Sequence, residues 1–430
     1  MNYLSKKIFI LGAIILFQNN VSGQTIKLIN EAEYNNTYTG FLNQENNLNQ
    51  PIVMNTSLGL VKHSYDILKG NFNFNVKLSN QVSFIQDQFP VRNYTSNKIS
   101  LLPIELYYNL NLKNWRFAIG RKLVRFGVGY VASPTDIIAQ RLPYDNPTDR
   151  LYQIAGNELL QISYTGNSWS YDAYLLPETY QNTLGYFKKS SIAMRLYKNI
   201  KSVDANLVTR ISTDGHYQLG LNATYTIGQK IELHGDIMYQ DKSEVLYPDT
   251  TNHVFVTDSK SALRALVGIN WSPKAKWNVV LEYFYLSEGY NTSQWSSFNS
   301  IVNSAISLEN SSSAFLQEQG RYQINTLGAN AQFPMLKNYI FFRVTKSSVI
   351  KKIDAEWISF IGLDKISSLQ RFAVTYKINS FSQMYSHYQF IIKSNDSDFY
   401  IINYTDKFRL GIVFNFSIKK KDKSIHENTI

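Results

Sequence analysis

The sequence contains no cysteine. This excludes disulfide bonds, thiolate metal ligands, a cysteine nucleophile and a lipid-modified cysteine behind an export signal. Histidine is scarce, with 6 in 430 residues. No two of them have the spacing of a helical or strand metal site, and no cofactor is expected. Proline numbers only 10. No stretch reaches eighteen apolar residues, so no transmembrane helix is expected either.

What is present begins with an export signal. Residues 1–23 read as a signal peptide, with Lys6 and Lys7 ahead of the apolar run Ile8 to Phe17. Val21 and Gly23 occupy the small-residue positions before a cut at Gln24. A run of that length is too short to span ~30 Å of hydrocarbon as a helix. The formal charge of +11 suits nucleic acid, an anionic membrane surface or anionic solutes, and export sets nucleic acid aside. Aromatic residues make up 14%, tyrosine foremost with 30, as is natural where rings sit at lipid–water boundaries.

A period-2 pattern recurs along most of the chain. Phe72, Phe74, Val76 and Leu78 face one side, and Asn71, Asn73, Asn75 and Lys77 face the other. Leu102, Ile104, Leu106, Tyr108, Leu110 and Leu112 stand opposite Glu105, Asn109 and Asn111, and similar stripes continue to Phe408–Phe416. Such alternation predicts strands with one apolar face. Strands of about ten residues exceed the ~5–6 usual in soluble sheets and match a tilted membrane crossing. Rings cluster at stripe ends, among them Trp115, Trp169, Trp271, Trp277, Tyr225 and Tyr239.

Connections also alternate in length. Short ones fall at 112–114, 166–168, 199–201, 227–230, 272–276, 334–338 and 379–382. Long ones fall at 125–157, 177–189, 241–259, 288–320 and 347–368. The predicted fold is all-β: a transmembrane antiparallel up-and-down β-barrel over 24–418 with about 18 strands, 16 being the other count. Short turns would be periplasmic and long loops external, with 419–430 a polar, basic periplasmic tail. An even count makes Trp357 to Gly362 loop structure. Closure is required, because in hydrocarbon every backbone N–H and C=O needs a partner.

The polar side of each strand then lines the lumen. Its basic lining is Lys77, Arg116, Arg195, Arg210, Arg264, Arg371 and Arg409, joined by Arg343 and Lys377. Its acidic lining includes Glu105, Glu232, Asp236 and Glu282, with His234 between Glu232 and Asp236. A barrel of ~16–18 strands is wide enough for an aqueous channel. Asp214-Gly215-His216 reads as a hairpin turn rather than a protease pair. Glu232, His234 and Asp236 read as a polar ladder rather than an acid–base site. No enzyme is expected.

The last strand, Lys407 to Ser417, ends on Phe414-Asn415-Phe416. In this it resembles Gram-negative outer-membrane barrels, whose final strand closes on an aromatic that the assembly machinery reads; here Ser417 and Ile418 follow the ring. The resemblance implies outer-membrane lipid and the barrel assembly machinery as partners. A second resemblance lies in Gly120-Arg121-Lys122, Phe126-Gly127-Val128-Gly129-Tyr130 and Ser133-Pro134-Thr135-Asp136. These are similar to a strand-and-loop pattern of porin-like families, including alginate-export-type barrels and related large porins. Lys122 stands where those families often have Gln, and Phe126 where they often have Trp.

The residues themselves suggest how that loop is held. Glycines permit a sharp bend out of the strand. Arg121, Lys122, Arg125, Arg141 and Arg150 would then face Asp136, Asp145 and Asp149, pinning 125–157 inside the pore as a constriction. The expected function is a porin-like channel for passive diffusion of small hydrophilic solutes, with a weak preference for anions. The alternative is a non-conducting barrel acting as adhesin, receptor or scaffold through its loops, with Trp295 and Phe298 on a binding surface in 288–320. No motif specifies the solute or the oligomeric state.

Overall fold

A computed structural model describes residues 22–36, 51–67, 70–88, 91–138, 154–183, 189–243, 245–249, 254–257, 260–330, 335–392, 397–401 and 406–418. The expected signal peptide, apart from Ser22 and Gly23, and the tail at 419–430 lie outside the described residues.

The strands are β1 (Ser22–Asn36), β2 (Pro51–Ile67), β3 (Gly70–Gln88), β4 (Val91–Leu112), β5 (Trp115–Lys122), β6 (Asn157–Thr165) and β7 (Trp169–Leu176). They continue as β8 (Ser191–Ile200), β9 (Val203–Ser212), β10 (Tyr217–Ile227), β11 (Ile231–Gln240), β12 (Leu246–Asp249), β13 (Val254–Thr257), β14 (Ala262–Trp271) and β15 (Trp277–Leu286). The last five are β16 (Asn338–Ile350), β17 (Ile353–Gly362), β18 (Ser367–Lys377), β19 (Ser382–Ile392) and β20 (Asp406–Ile418). β12 and β13 form a separate hairpin, and the rest make one 18-stranded sheet. β1 pairs antiparallel with β20 from Gln24↔Ile418 to Asn36↔Asp406, which closes the barrel.

Its burial is inverted relative to a water-soluble protein. Ile192, Met194, Leu219 and Leu221 are about half exposed, whereas Arg210, Asp236, Arg264, Glu282 and Arg371 are buried. A continuous apolar exterior of this kind is stable only against lipid. No helix among the described residues is long and apolar enough to cross a membrane; the strands make the crossing. Trp115, Trp169, Trp271 and Trp277 ring the end where the short turns lie, with Lys198 Nζ 4.0 Å from the Trp169 ring centre and Lys346 Nζ 4.7 Å from that of Trp277. Tyr217 and Tyr239, with ring centres 6.1 Å apart, mark the opposite, loop end.

Three expectations change. Trp357 to Gly362 is not loop: it belongs to β17, paired along its length with β16 and β18, so 347–368 is no long loop. The even count survives because Thr292–Glu309 (α1) and Ala314–Asn330 (α2) are helices, filling the expected long loop 288–320 and the stretch from there to the expected short turn at 334–338, which a strand would have had to occupy. Residues 335–337 instead lead from the long connection into β16 at the loop end.

The third change is in β4. A bulge sets Pro103 against Val76 and Glu105 against Asn75, leaving Ile104 extra. The stripe is thereby split: Leu101 and Leu106 point outward, while Ile104 is buried. Proline cannot donate to a ladder and is tolerated at such a bulge. β4 runs for 22 residues, yet β5 pairs only with Leu106–Leu112.

A candidate constriction inside the barrel

The chain bends within β5 at Gly120 and leaves the sheet after Lys122. The Gly120 φ is +123°, and a Cβ there would lie 2.3 Å from the Leu106 carbonyl oxygen, so only glycine fits this bend. The bulge in β4 receives the departing and returning chain. Arg121 Nη1 donates to Pro103 O at 3.1 Å, and Gly156 N donates to Ile104 O at 2.8 Å.

From Leu123 the segment runs inward along the barrel wall. Val124, Phe126, Val131, Ala132, Ile137 and Ile138 are buried. The Asp136 carboxylate accepts from Phe126 N at 2.7 Å and Gly127 N at 2.8 Å, folding the segment on itself. Burial lifts the Asp136 carboxyl above the ordinary aspartate value, opposed by those two N–H groups and by the charge of Arg125.

The wall strands supply the anchors. Arg210 on β9 donates to Ile137 O at 2.6 Å. Asn222 on β10 donates to Phe126 O at 2.9 Å and to Thr135 Oγ1 at 2.6 Å. Asp236 on β11 accepts from Thr135 N at 3.0 Å and from its hydroxyl at 2.9 Å. Glu282 on β15 accepts from Tyr130 N at 2.7 Å and Val131 N at 3.2 Å. The Arg195 guanidinium lies 5.7 Å from the Phe126 ring, and that of Arg343 on β16 lies 5.8 Å from the Tyr130 ring. One short segment thus touches inward side chains from β8 to β16.

The expected loop residues divide. Lys122 donates to Gln161 at 2.6 Å and lies 5.2 Å from the Tyr107 ring centre, on the inward side. Arg121 does not meet Asp136; its partner is Glu158, at 2.7 Å. Glu158 shares a face of β6 with the outward Leu160 and Ile162, because side chains alternate along a strand. Arg125 is exposed. Arg141, Asp145, Asp149 and Arg150 lie outside the described residues. The charge pairing expected within the loop is replaced, over its described part, by backbone N–H groups capping wall and loop carboxylates.

The lumen residues all alternate with the apolar exterior, but most are engaged. Arg195 pairs with Asp172 at 2.7 Å, and Arg264 pairs with Glu288. Arg371 and Arg343 clasp Glu356 at 2.5 and 2.7 Å. Arg409 meets Glu33, and Glu31 at 3.4 Å. His234 Nε2 lies 2.9 Å from Glu282 and its Nδ1 3.9 Å from Glu232. Glu105 accepts from Leu123 N at 3.3 Å. Arg116 donates to Asn111 at 3.3 Å, and Lys77 stands opposite Leu60 and Leu102. Among the described residues no group of His, Asp or Glu side chains is arranged to hold a metal. Asp214-Gly215 forms the turn between β9 and β10, with Gly215 at φ +86°.

Sequence reasoning missed Thr135 and Asn222 as anchors, and Glu31, Glu33, Glu288 and Glu356 as counter-ions. Glu31 and Glu33 carry a signal, two acids at strand spacing opposite a basic strand. Trp295 and Phe298 are not on a binding surface. They are buried and stacked with ring centres 5.3 Å apart, in one cluster with Phe284, Tyr339, Phe341 and Phe360 of the inner wall. The helical pair therefore packs on the loop end of β14–β19. Phe399, also fully buried, extends this cover from the connection between β19 and β20.

No protein-family model matches the sequence, and no curated protein matches it. Solved structures do. OccAB1 of Acinetobacter baumannii aligns over 93% of this chain and 98% of its own, with 8% identity and a TM-score of 0.56. OccK7 (OpdD) of Pseudomonas aeruginosa aligns over 92% and 99%, with 8% identity and a TM-score of 0.54. The outer membrane protein OprD of P. aeruginosa aligns over 93% and 96%, with 11% identity and a TM-score of 0.50. At these identities the likeness is one of fold. The chain has the closed 18-stranded barrel fold of the Gram-negative outer-membrane porins.

Proposed function

We propose that this protein is an outer-membrane channel for passive diffusion of small hydrophilic solutes, narrowed by the segment that begins at Leu123. The observation that carries this reading is the anchoring of that segment to inward side chains of β9, β10, β11 and β15. A barrel of ~18 strands encloses more space than its own side chains fill, and an infolded segment reduces that space to a passage. Residues 1–23 serve as a cleaved export signal, and the barrel assembly machinery inserts the chain into outer-membrane lipid. A weak preference for anions among small ions follows from the basic surplus, reduced because Arg195, Arg264, Arg371 and Arg409 are paired.

The non-conducting adhesin or scaffold is less well supported, because Trp295 and Phe298, its proposed contact residues, are buried. Reconstitution of the purified protein in planar bilayers decides between them. Discrete conductance steps are expected, and a silent bilayer under all voltages and salts would favour the scaffold.

A further inference from the structure

The lipid-facing side of the barrel is not uniform. A groove of about 620 Å³ crosses β5–β9, lined almost wholly by apolar atoms. That volume lies within the ~300–1,000 Å³ of sites that hold one small molecule. At its centre Ala173 on β7, a single methyl, stands between Ile162 on β6 and Met194 on β8. Both neighbours are about half exposed, so longer side chains rise on either side of it. One level nearer the short turns, Tyr164 and Tyr171 stand opposite each other. Trp115 lies edge-on to Tyr164, with ring centres 5.1 Å apart. The groove exists because one short side chain sits in a row of long ones.

A cation stands at its short-turn end. Lys198 shares the outward face of β8 with Met194, four residues further along the strand and so ~13 Å nearer the turns. Its Nζ lies 4.0 Å from the ring centre of Trp169. No acid of β5–β9 competes for it. Asp172 is inside the barrel, paired with Arg195. Asp204 also faces inward, where it accepts from Tyr197 and from Asn199 at 2.9 Å. Glu158 faces outward, but at the loop end with Arg121. Lys113 and Lys201, in the turns before β5 and after β8, add two exposed positive charges at the short-turn end.

We propose that this groove and Lys198 form a binding site for one anionic phospholipid, with its phosphate on the lysine and an acyl chain laid over Ala173. One leaflet of a ~30 Å hydrocarbon core is ~15 Å deep, so a chain hanging from a phosphate at Lys198 passes across the groove. The ammonium offers three donors to the phosphate oxygens, and the Trp169 ring holds it at the membrane boundary. A second copy of the chain fits less well. A two-fold contact through this groove would set Lys198 beside its own copy, with no acid on that face to offset the charge. The site lies outside the lumen and stands whether or not the barrel conducts.

The test is native mass spectrometry of the full barrel in detergent, titrated with palmitoyl-oleoyl phosphatidylglycerol or with phosphatidylcholine of the same chains. The first phosphatidylglycerol should bind at least fivefold more tightly than further copies, and more tightly than phosphatidylcholine by a similar factor. Lys198→Gln should weaken phosphatidylglycerol about fivefold, the worth of one lysine beside an anionic lipid, and bring the two lipids level. Ala173→Phe fills the groove and should weaken both lipids at least tenfold; Ala173→Leu serves if that variant does not fold. Lys346→Gln, which removes the lysine beside Trp277 on the outward face of β16, should change neither. Absence of a preferred first lipid, equal binding of the two lipids by the parent, unchanged affinity in a folded groove or Lys198 variant, or an equal loss in Lys346→Gln each overturns the proposal. A dimer that resists lipid and is broken by Ala173→Phe would overturn it in favour of a second copy.

Discussion

Asp236 on the barrel wall holds Thr135 in the infolded segment by two bonds, from the backbone N–H at 3.0 Å and from the hydroxyl at 2.9 Å. The same hydroxyl accepts from Asn222 on the neighbouring strand, so one threonine is tied to both β10 and β11. A hydrogen bond of this kind contributes about 0.5–1.5 kcal/mol, and a buried group left without its partner costs about 1–3 kcal/mol. Asp236→Ala removes both and leaves Thr135, which is fully buried, short of partners. The expected result is a larger and noisier single-channel conductance. Thr135→Val keeps the backbone N–H bond and loses only the hydroxyl, so it should give a milder form of the same trace, and the double variant should add little to Asp236→Ala. A quiet, parental trace from Asp236→Ala would show that this contact does not restrain the passage.

Gly120 governs whether the segment can leave the wall at all. An alanine Cβ would sit 2.3 Å from Leu106 O and 2.9 Å from Tyr107 Cα, at φ +123°. Both neighbours are backbone atoms of the paired strand and cannot swing away. Backbone strain at such a position costs about 1–3 kcal/mol before any clash is counted. Gly120→Ala should therefore lower the unfolding temperature of the detergent-solubilised barrel markedly. Gly59→Ala is the matched control, because its Cβ would meet only Leu28 Cδ2, at an ordinary 3.6 Å. Equal unfolding temperatures for the two variants would refute the bend's dependence on glycine.

The barrel was legible because lipid outside and water inside enforce a period of two on every crossing, as in Phe72 to Leu78 against Asn71 to Lys77. Where that force is absent, reading failed. Between Thr292 and Glu309 the apolar residues Trp295, Phe298, Val302 and Ala305 are buried. Their spacing of three and four is helical, but surrounding serines and asparagines make the stretch look like an exposed loop. β17 was excluded by counting, although Ile353 to Gly362 alternates; the count went astray on the helix, not on the strand. The site was half legible. Glycines and an aspartate marked the infolded segment, but its anchors are single polar residues on distant strands, and no local spacing connects Thr135 with Asp236.

Asp136 gives the segment a pH dependence whose sign can be worked out. Burial raises its carboxyl pKa above the ordinary aspartate value, despite the N–H groups of Gly127 and Phe126. A native pKa above the unfolded one means that the folded state binds the proton more readily between the two values. Asp136 thus weighs nothing against folding below the unfolded value. Its cost grows as pH rises through the window up to the raised pKa, and is constant beyond it. Asp136→Asn should remove that slope. Thermal unfolding of parent and variant across this acidic window checks it, and parallel curves would mean that Asp136 titrates normally.

Glu356 is the counter-ion of two arginines at once, Arg343 at 2.7 Å and Arg371 at 2.5 Å, the latter only 3% exposed. Breaking a buried pair by removing one member typically costs about 3–5 kcal/mol, because the charge left behind is uncompensated. Glu356→Ala leaves two such guanidiniums inside the barrel. They are inward-facing, and the Arg343 guanidinium also lies 5.8 Å from the ring of Tyr130 in the infolded segment. Two consequences should therefore appear together. Unfolding temperature should fall, and the reversal potential in a salt gradient should shift towards anions, since rings of fixed charge set pore selectivity. Glu356→Gln should reproduce the selectivity shift with a smaller loss of stability, as the amide oxygen still accepts a hydrogen bond. A loss of stability with no change in reversal potential would place the cluster behind the segment, out of reach of the permeating ions.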